Sequence, residues 1–325
     1  MLRNRCKSFR TLTLASVFAT LLAVGGLVAG LTPASAAPAT AGSAHRGPQP
    51  RPAFYLALGD SLSQGVQPAT PPLPPGVTLG ESIETDQGYA DDLLAHYEAA
   101  FHGTLHLVKL GCPGETTTSM LTGTGSPCEY AQGSQLAAAV AFIKAHHGEI
   151  RLITIDIGAN DLDGCVTGST ISESCIEAGL ASVGHDLPLI LRALRQVAGK
   201  RVVIAGMNLY DPFLADYLTG APGQAAATES VTLTEQLNQL IAAADQAIGA
   251  STADVQGAFS TTDFADTAAL PGVGTVPLNV ARICEWTWMC APTPVGPNIH
   301  ANPVGYQVVA QAFERAIGCR LHRRL

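Results

Sequence analysis

Short apolar segments alternate with amphipathic ones along most of this 325-residue chain, and that alternation limits the fold more than any other feature. Five of the apolar segments have the length and composition of buried strands. They are Phe54–Leu58, Leu105–Leu110, Leu152–Ile157, Val202–Ala205 and a weaker one at Ala253–Val255. Strands that alternate with helices are typical of a parallel sheet covered by helices. We therefore predict an α/β fold, and a composition of 47% hydrophobic residues is ample for its core.

Helical periodicity fills most of the intervals between these strands. The helical segments are Tyr89–Phe101, Leu136–Ala145, Ile176–Val197, Thr228–Ile248 and the stretch after Asn302-Pro303 that ends before Gly318. Pro188 interrupts the third segment and is predicted to kink it or to split it in two. Two segments without periodicity, Val66–Gly80 and Leu209–Ala227, are predicted to be long loops that border a substrate cleft.

Four polar turns follow or precede these elements in a fixed order. Gly59-Asp60-Ser61-Leu62 ends the first strand, and Gly114 lies in a glycine turn after the second. Asn160 follows the third strand, and His300 comes just before the last helix. Serine needs a base to become a nucleophile, and the oxyanion that it forms needs hydrogen-bond donors. Histidine, asparagine and backbone amides supply those functions, so the set predicts a nucleophilic hydrolase.

This order of serine, glycine, asparagine and histidine resembles the four sequence blocks of the SGNH, or GDSL, hydrolase family. The resemblance extends over about residues 54–317. It implies a flavodoxin-like three-layer sandwich with a central parallel sheet of about five strands. It also implies that Ser61 is the nucleophile and His300 the base, with the oxyanion bound by the Ser61 and Gly114 amides and by Asn160. No metal or organic cofactor is expected.

The residues before His300 depart from the pattern of that family. An aspartate three positions before the histidine commonly orients it, whereas this chain has Pro297 there and Asn298 next to it. Either the Pro297 carbonyl or the Asn298 side chain could accept a hydrogen bond from the imidazole. We therefore predict a Ser61–His300 dyad rather than a triad.

The N-terminal segment has the features of a signal peptide. Arg3, Arg5, Lys7 and Arg10 precede a long uncharged apolar stretch, and Ala34-Ser35-Ala36 fits a cleavage site. An uncleaved membrane anchor is the alternative reading of the same stretch. We expect a signal peptide over 1–36, a disordered leader over 37–52 and a single hydrolase domain over 53–325. The protein is thus expected to be secreted, without a stable membrane anchor.

Cysteine usage agrees with export. Six cysteines allow fifteen pairings, and sequence alone does not choose among them. Proximity along the chain favours local bridges, and the resemblance to secreted actinobacterial-type esterases of the family implies three such bridges. The expected pairs are Cys112–Cys128, Cys165–Cys175 and Cys284–Cys290. Cys319 is left over, either as a free thiol or as a link between two chains.

These observations predict a secreted serine esterase or lipase that acts on acyl or lipid esters through an acyl-enzyme. A carbohydrate acetyl esterase is the second candidate, and a non-catalytic binding protein on the same scaffold is the third. Trp286 and Trp288 either form one wall of the site or pack beneath their loop. A formal net charge of −8 argues against nucleic acid as a partner. We expect a monomer whose partner is a small-molecule or lipid ester.

Overall fold

The fold is built on the predicted strands, as the computed structural model of residues 52–167 and 170–321 shows. The strands are Ala53–Gly59 (β1), Gln67–Pro68 (β2), Ser82–Ile83 (β3), Leu105–Lys109 (β4), Ile150–Asp156 (β5), Val166–Thr167 (β6), Thr170–Ile171 (β7), Val203–Met207 (β8), Ser251–Ala253 (β9), Thr267–Leu270 (β10) and Gly274–Pro277 (β11). The helices are Tyr89–Glu98 (α1), Thr117–Thr122 (α2), Gln135–Ala145 (α3), Glu173–Ala198 (α4), Ala221–Ala247 (α5), Val255–Ala258 (α6), Leu278–Trp286 (α7) and Pro303–Ile317 (α8). The predicted signal peptide, and the predicted leader up to residue 51, lie outside the described residues.

Five strands form one parallel sheet in the order β4-β1-β5-β8-β9. Counted along the chain, this is the order 2-1-3-4-5 of flavodoxin-like folds. The prediction of a flavodoxin-like α/β sheet of about five strands is therefore confirmed. In such sheets, ligands bind beyond the carboxyl ends of the strands, where the strand order reverses. Here that point lies between β1 and β5.

Helices cover both faces of the sheet and complete three layers. On one face α1 packs against α8, and Tyr89 stacks on Phe313 with ring centroids 4.8 Å apart. On the other face α4 packs against α3 and α5. The central strands have almost no exposed side chains, as expected for a parallel sheet that is covered on both faces. The sheet is thus a rigid platform for the loops that follow its strands.

The predicted split of the helix at Pro188 does not occur, because α4 runs without interruption from Glu173 to Ala198. Proline removes one hydrogen bond and crowds the carbonyl four residues earlier, which here belongs to Gly184. Gly184 is exposed, so that carbonyl can turn towards water. Leu187 and Ile190, on either side of the proline, are buried in the core and hold the helix against the sheet.

The prediction of a loop over Leu209–Ala227 is also wrong. A 3-10 helix covers Pro212–Thr219, and α5 begins at Ala221, seven residues before the predicted start at Thr228. The prolines in this region occupy the first turn of each helix, where the missing amide hydrogen costs nothing. Asp211 caps the 3-10 helix by accepting a hydrogen bond from the Phe213 amide at 2.9 Å. Proline and glycine here mark where helices begin.

Three disulfides join the cysteine pairs that were expected, Cys112–Cys128, Cys165–Cys175 and Cys284–Cys290. None of the cysteines in the described residues is a free thiol, so the free-thiol alternative for Cys319 does not hold. In the part of the chain that the structure describes, no helix combines the length and the apolar character needed to cross a membrane.

Candidate active site

The turn that carries Ser61 begins at Gly59, the last residue of β1. Gly59 has a φ of +125°, and a Cβ there would lie 1.8 Å from the carbonyl oxygen of Asp156 on the neighbouring strand. Only glycine allows so close an approach at this backbone angle. The Asp60 carboxylate then accepts a hydrogen bond from the Leu62 amide at 3.0 Å and closes the turn. Ser61 is thereby placed just beyond the sheet at the reversal of strand order.

His300 lies on the loop before α8, and several backbone hydrogen bonds hold that loop in place. The Trp288 amide donates to the His300 carbonyl at 3.0 Å. The Tyr210 hydroxyl donates to the Ile299 carbonyl at 2.8 Å. Asn302 caps α8 by accepting from two backbone amides, so the helix starts three residues after His300. The imidazole is therefore attached to a fixed backbone rather than to a free loop.

The structure brings Ser61 and His300 together although they are 239 residues apart. The distance from His300 Nε2 to Ser61 Oγ is 2.8 Å. The other ring nitrogen, Nδ1, lies 2.7 Å from Asn298 Oδ1, which also accepts a hydrogen bond from the His300 amide. The Asn298 side chain, and not the Pro297 carbonyl, is thus the partner of Nδ1. Burial lowers the pKa of His300 to about 4, so the imidazole is neutral at pH 7 and able to accept a proton.

Three hydrogen-bond donors converge beside the serine. Within the described part of the chain, the backbone amides of Ser61 and Gly114 have no protein acceptor. Asn160 uses its side-chain nitrogen to donate to the Glu115 carbonyl at 3.0 Å, and the second hydrogen of that nitrogen remains available. Ser61, Gly114, Asn160 and His300 all line the same cleft. This arrangement is suited to binding a tetrahedral oxyanion.

Two clefts meet at Ser61, and both also contact Asn160, Ile299 and His300. The first is mainly apolar and runs between α4, α5 and the segment after β8. Its apolar walls are Leu62, Ala159, Leu162, Val166, Ile176, Leu209, Tyr210, Pro212, Phe213, Leu233 and Leu237. The second cleft adds Val66, Ser82, Glu84, Pro113 and Gly114. It is called the polar cleft below because five of its nine lining residues are polar: Ser61, Ser82, Glu84, Asn160 and His300. Val66 from one predicted loop lines these clefts, as do Leu209, Tyr210, Pro212 and Phe213 from the other, whereas neither tryptophan does.

Two buried carboxyl groups lie beneath the serine turn, and the sequence analysis did not assign them a role. Asp156 Oδ2 accepts hydrogen bonds from the amides of Asp60 and Ser63, at 3.3 Å and 3.1 Å, and Oδ1 accepts one from the Tyr89 hydroxyl. Burial raises the pKa of Asp60 to about 6 and that of Asp156 well above its usual range. An acid at the end of a strand that is otherwise mostly apolar, as in Thr154-Ile155-Asp156, was the signal in the sequence.

Two further side chains fix the turns of the site, and both are distant in sequence from what they hold. Gln135 accepts from the Gly59 amide at 2.7 Å and donates to the Gly59 carbonyl at 2.9 Å. Asp161 accepts from the amide and the hydroxyl of Thr117, at 2.9 Å and 2.7 Å. It thereby ties the turn of Asn160 to the start of α2. Among the described residues, no group of three or more His, Cys, Asp or Glu side chains is placed to hold a metal ion.

Trp286 and Trp288 pack into the protein. Trp286 meets the buried ring of Phe259 edge to face, with centroids 5.2 Å apart, and Arg282 lies over its ring. The indole nitrogen of Trp288 is buried, without a hydrogen-bond partner among the described residues. The second alternative from the sequence, packing beneath the loop, therefore describes both side chains.

Comparisons with known proteins place this site in a family. The model of the GDSL-like lipase/acylhydrolase family matches residues 57–308, which include both Ser61 and His300. A comparison with curated protein sequences found no match. An extracellular lipase from Streptomyces rimosus has a similar structure, with a TM-score of 0.51 and 19% identity over 81% of this chain and 99% of that one. This likeness supports the fold.

Two other solved structures are similar to a lesser degree. An alpha/beta hydrolase from the metagenome of Lake Arreo has a TM-score of 0.45 and 17% identity over 82% of this chain and 95% of its own. An acetyl-xylooligosaccharide esterase from Geobacillus has a TM-score of 0.40 and 15% identity over 82% and 94%. The family match covers more than half of the sequence, from the end of the first strand into the last helix. The chain therefore belongs to the GDSL-like lipase/acylhydrolase family and is a hydrolase of ester bonds.

Proposed function

We propose that this protein is an exported serine esterase or lipase that hydrolyses carboxylic esters through an acyl-enzyme on Ser61. One observation carries the proposal: His300 Nε2 lies 2.8 Å from Ser61 Oγ at the junction of an apolar and a polar cleft. Export rests on the N-terminal segment of the sequence and on the three disulfides.

In the first half of the reaction, the Ser61 oxygen attacks the ester carbonyl while His300 Nε2 takes the hydroxyl proton. The carbonyl oxygen becomes an oxyanion, which the amides of Ser61 and Gly114 and the Asn160 side chain stabilise. His300 then gives its proton to the leaving alcohol, and the acyl group remains on Ser61. In the second half, His300 activates a water molecule that attacks the acyl-enzyme, and the acid is released with Ser61 restored.

We assign the two halves of the ester from the residues that line each cleft: a long run of apolar side chains in the first, and Ser82 and Glu84 in the second. An apolar cleft of this kind buries an acyl chain, and each buried methylene group contributes about 0.8 kcal/mol. The polar cleft then receives the alcohol, which leaves as a hydrophilic product. We therefore propose acyl or lipid esters as substrates rather than acetylated glycans, because the aromatic side chains of Trp286 and Trp288 do not line either cleft.

The test is hydrolysis of p-nitrophenyl esters of two to sixteen carbons by the wild type and by Ser61→Ala, with fluorophosphonate labelling in parallel. We expect turnover of the wild type, a loss of at least about 10⁴-fold in Ser61→Ala, and labelling of the wild type alone. Faster turnover of longer chains supports the acyl assignment of the apolar cleft. A folded wild type that neither turns over nor labels would refute the proposal and favour a non-catalytic binding protein.

A further inference from the structure

The polar cleft beside Ser61 has an acidic side chain in its lining and no lysine or arginine. Among the described residues that line the two clefts, none is a lysine or an arginine. In the polar cleft the only titratable side chains are Glu84 and His300. His300 is neutral at pH 7 because burial lowers its pKa to about 4. Glu84 is exposed and is the one acidic side chain in the lining of this cleft.

In the part of the chain that the structure describes, no cationic side chain pairs with this carboxylate. Within the described residues, Glu84 forms no ion pair and no hydrogen bond. Lys109 lies close by in the fold, but its ammonium group donates to the Asp91 carboxylate at 2.6 Å and to the Thr85 carbonyl at 3.0 Å. The Tyr130 hydroxyl donates its hydrogen to the Leu110 carbonyl at 2.7 Å, so it is not available to donate to Glu84. The Glu84 carboxylate is therefore free to interact with the part of the substrate that binds in the polar cleft.

We propose that Glu84 is a specificity-determining residue that favours esters whose alcohol carries a positive charge, such as a quaternary ammonium group. This inference rests on the proposed ester hydrolysis and names the class of alcohol for it. An ammonium group on the alcohol would meet the Glu84 carboxylate while the ester carbonyl sits at Ser61. An anionic alcohol, such as one with a phosphate group, would meet the same carboxylate as a like charge and be disfavoured.

The size of the effect follows from the exposure of Glu84. Exposed pairs of opposite charge typically gain up to about 1 kcal/mol, which is about fivefold in a rate or binding constant. We therefore expect Glu84 to raise kcat/KM for a cationic ester by about two- to fivefold. The effect should weaken in 0.5 M NaCl, because salt screens exposed charges.

The experiment compares butyrylcholine with 3,3-dimethylbutyl butyrate, in which a neutral carbon replaces the ammonium nitrogen. The quantity measured is the ratio of kcat/KM for the cationic ester to that for the neutral ester. It is determined for the wild type, for Glu84→Gln and for Asp86→Asn. The last variant is a matched control, because it removes the same charge from an exposed residue two positions away that does not line the cleft.

We expect Glu84→Gln to lower the ratio by about two- to fivefold through KM of the cationic ester. Asp86→Asn should leave the ratio as in the wild type. The proposal is overturned if Glu84→Gln leaves the ratio unchanged, or if Asp86→Asn lowers it equally. Hydrolysis of the neutral ester in those cases keeps the proposed function intact, whereas a wild type that hydrolyses neither ester overturns both.

Discussion

Asn298 offers the sharpest test of how the catalytic histidine is supported. Its Oδ1 atom lies 2.7 Å from His300 Nδ1, in the place where a serine hydrolase triad has a carboxylate. An amide oxygen fixes the tautomer and the ring orientation, but it brings no charge to stabilise an imidazolium ion. Replacing Asn298 with alanine or with aspartate therefore separates the effect of orientation from the effect of charge.

The hydrogen bond from the imidazole to Asn298 gives the expected size of the orientation effect. Asn298→Ala removes one neutral hydrogen bond to the imidazole, which contributes about 0.5–1.5 kcal/mol net. At about 1.36 kcal/mol for each tenfold change, kcat/KM should fall by about two- to twelvefold. The backbone bond from Trp288 to the His300 carbonyl remains and keeps the loop in place. Loss of a true triad acid costs about 10⁴-fold in kcat.

The effect of a charge at position 298 appears in the pH dependence of kcat/KM. His300 must be neutral to act as a base, so kcat/KM of the wild type should fall only as the pH drops through about 4. Asn298→Asp places a carboxylate beside Nδ1, and such a neighbour raises the pKa of a histidine by about 1–3 units. The acid limb of the variant should move to higher pH by that amount.

The assay for both variants is kcat/KM for a short p-nitrophenyl ester between pH 3.5 and 8. Circular dichroism and the thermal midpoint serve as controls for folding. Two results would refute the reasoning. A loss near 10⁴-fold in a folded Asn298→Ala variant would make Asn298 an essential third member. An acid limb that stays in place in Asn298→Asp would mean that the side chain at 298 does not contact the imidazole in solution.

Two further predictions concern the oxyanion site and the serine turn. Asn160→Ala should lower kcat by about 10²–10³-fold with little change in KM, because the lost donor acts on the oxyanion; an equal rise in KM would contradict this role. Gly59→Ala should lower the free energy of unfolding by more than about 2 kcal/mol, since its Cβ would meet the Asp156 carbonyl. Gly274→Ala, at a φ of +119° with open space around it, is the control in urea unfolding, and an equal cost in both variants would refute the steric argument.

The parts of the fold that the sequence predicted correctly are those with local signals. Asn302 and Pro303 mark the start of α8, and Gly318 marks its end, as each does in the structure. The strand of Phe54–Leu58 is apolar throughout because helices cover both faces of the sheet. The antiparallel hairpin of β10 and β11 was not predicted, since its short strands are half exposed and their composition is that of loops.

The main residues of the site were predictable for a topological reason. Loops at the carboxyl ends of parallel strands converge at one edge of the sheet, so motifs that follow strands can meet there. Ser61 follows β1 and Asn160 follows β5, its neighbour, which brings them to one cleft. What the sequence could not predict is the choice between Pro297 and Asn298, because it depends on where the loop before α8 is attached.

The contact of Gln135 with the backbone of Gly59 has no signal in the sequence. It stands at the start of α3, 76 residues from Gly59, and its amide makes both hydrogen bonds to that backbone. The Gly59 carbonyl has a second donor in the Cys112 amide, but in the described residues the Gly59 amide has Gln135 alone. Gln135→Ala would bury that amide without a partner, which costs about 1–3 kcal/mol, and would release the turn that positions Ser61.

We therefore expect Gln135→Ala to lower both the free energy of unfolding and kcat. The adjacent Ser134 is a matched control: it caps α3 by accepting from the Ala137 amide at 3.1 Å, and none of its hydrogen bonds reaches Gly59 or the serine turn. Ser134→Ala should cost about 1 kcal/mol of stability and leave kcat unchanged. If both variants lose stability and neither loses kcat, Gln135 stabilises the start of α3 but does not position Ser61. A fall in kcat confined to Gln135→Ala, measured well below both melting midpoints, would show that Gln135 positions the turn that carries the nucleophile Ser61.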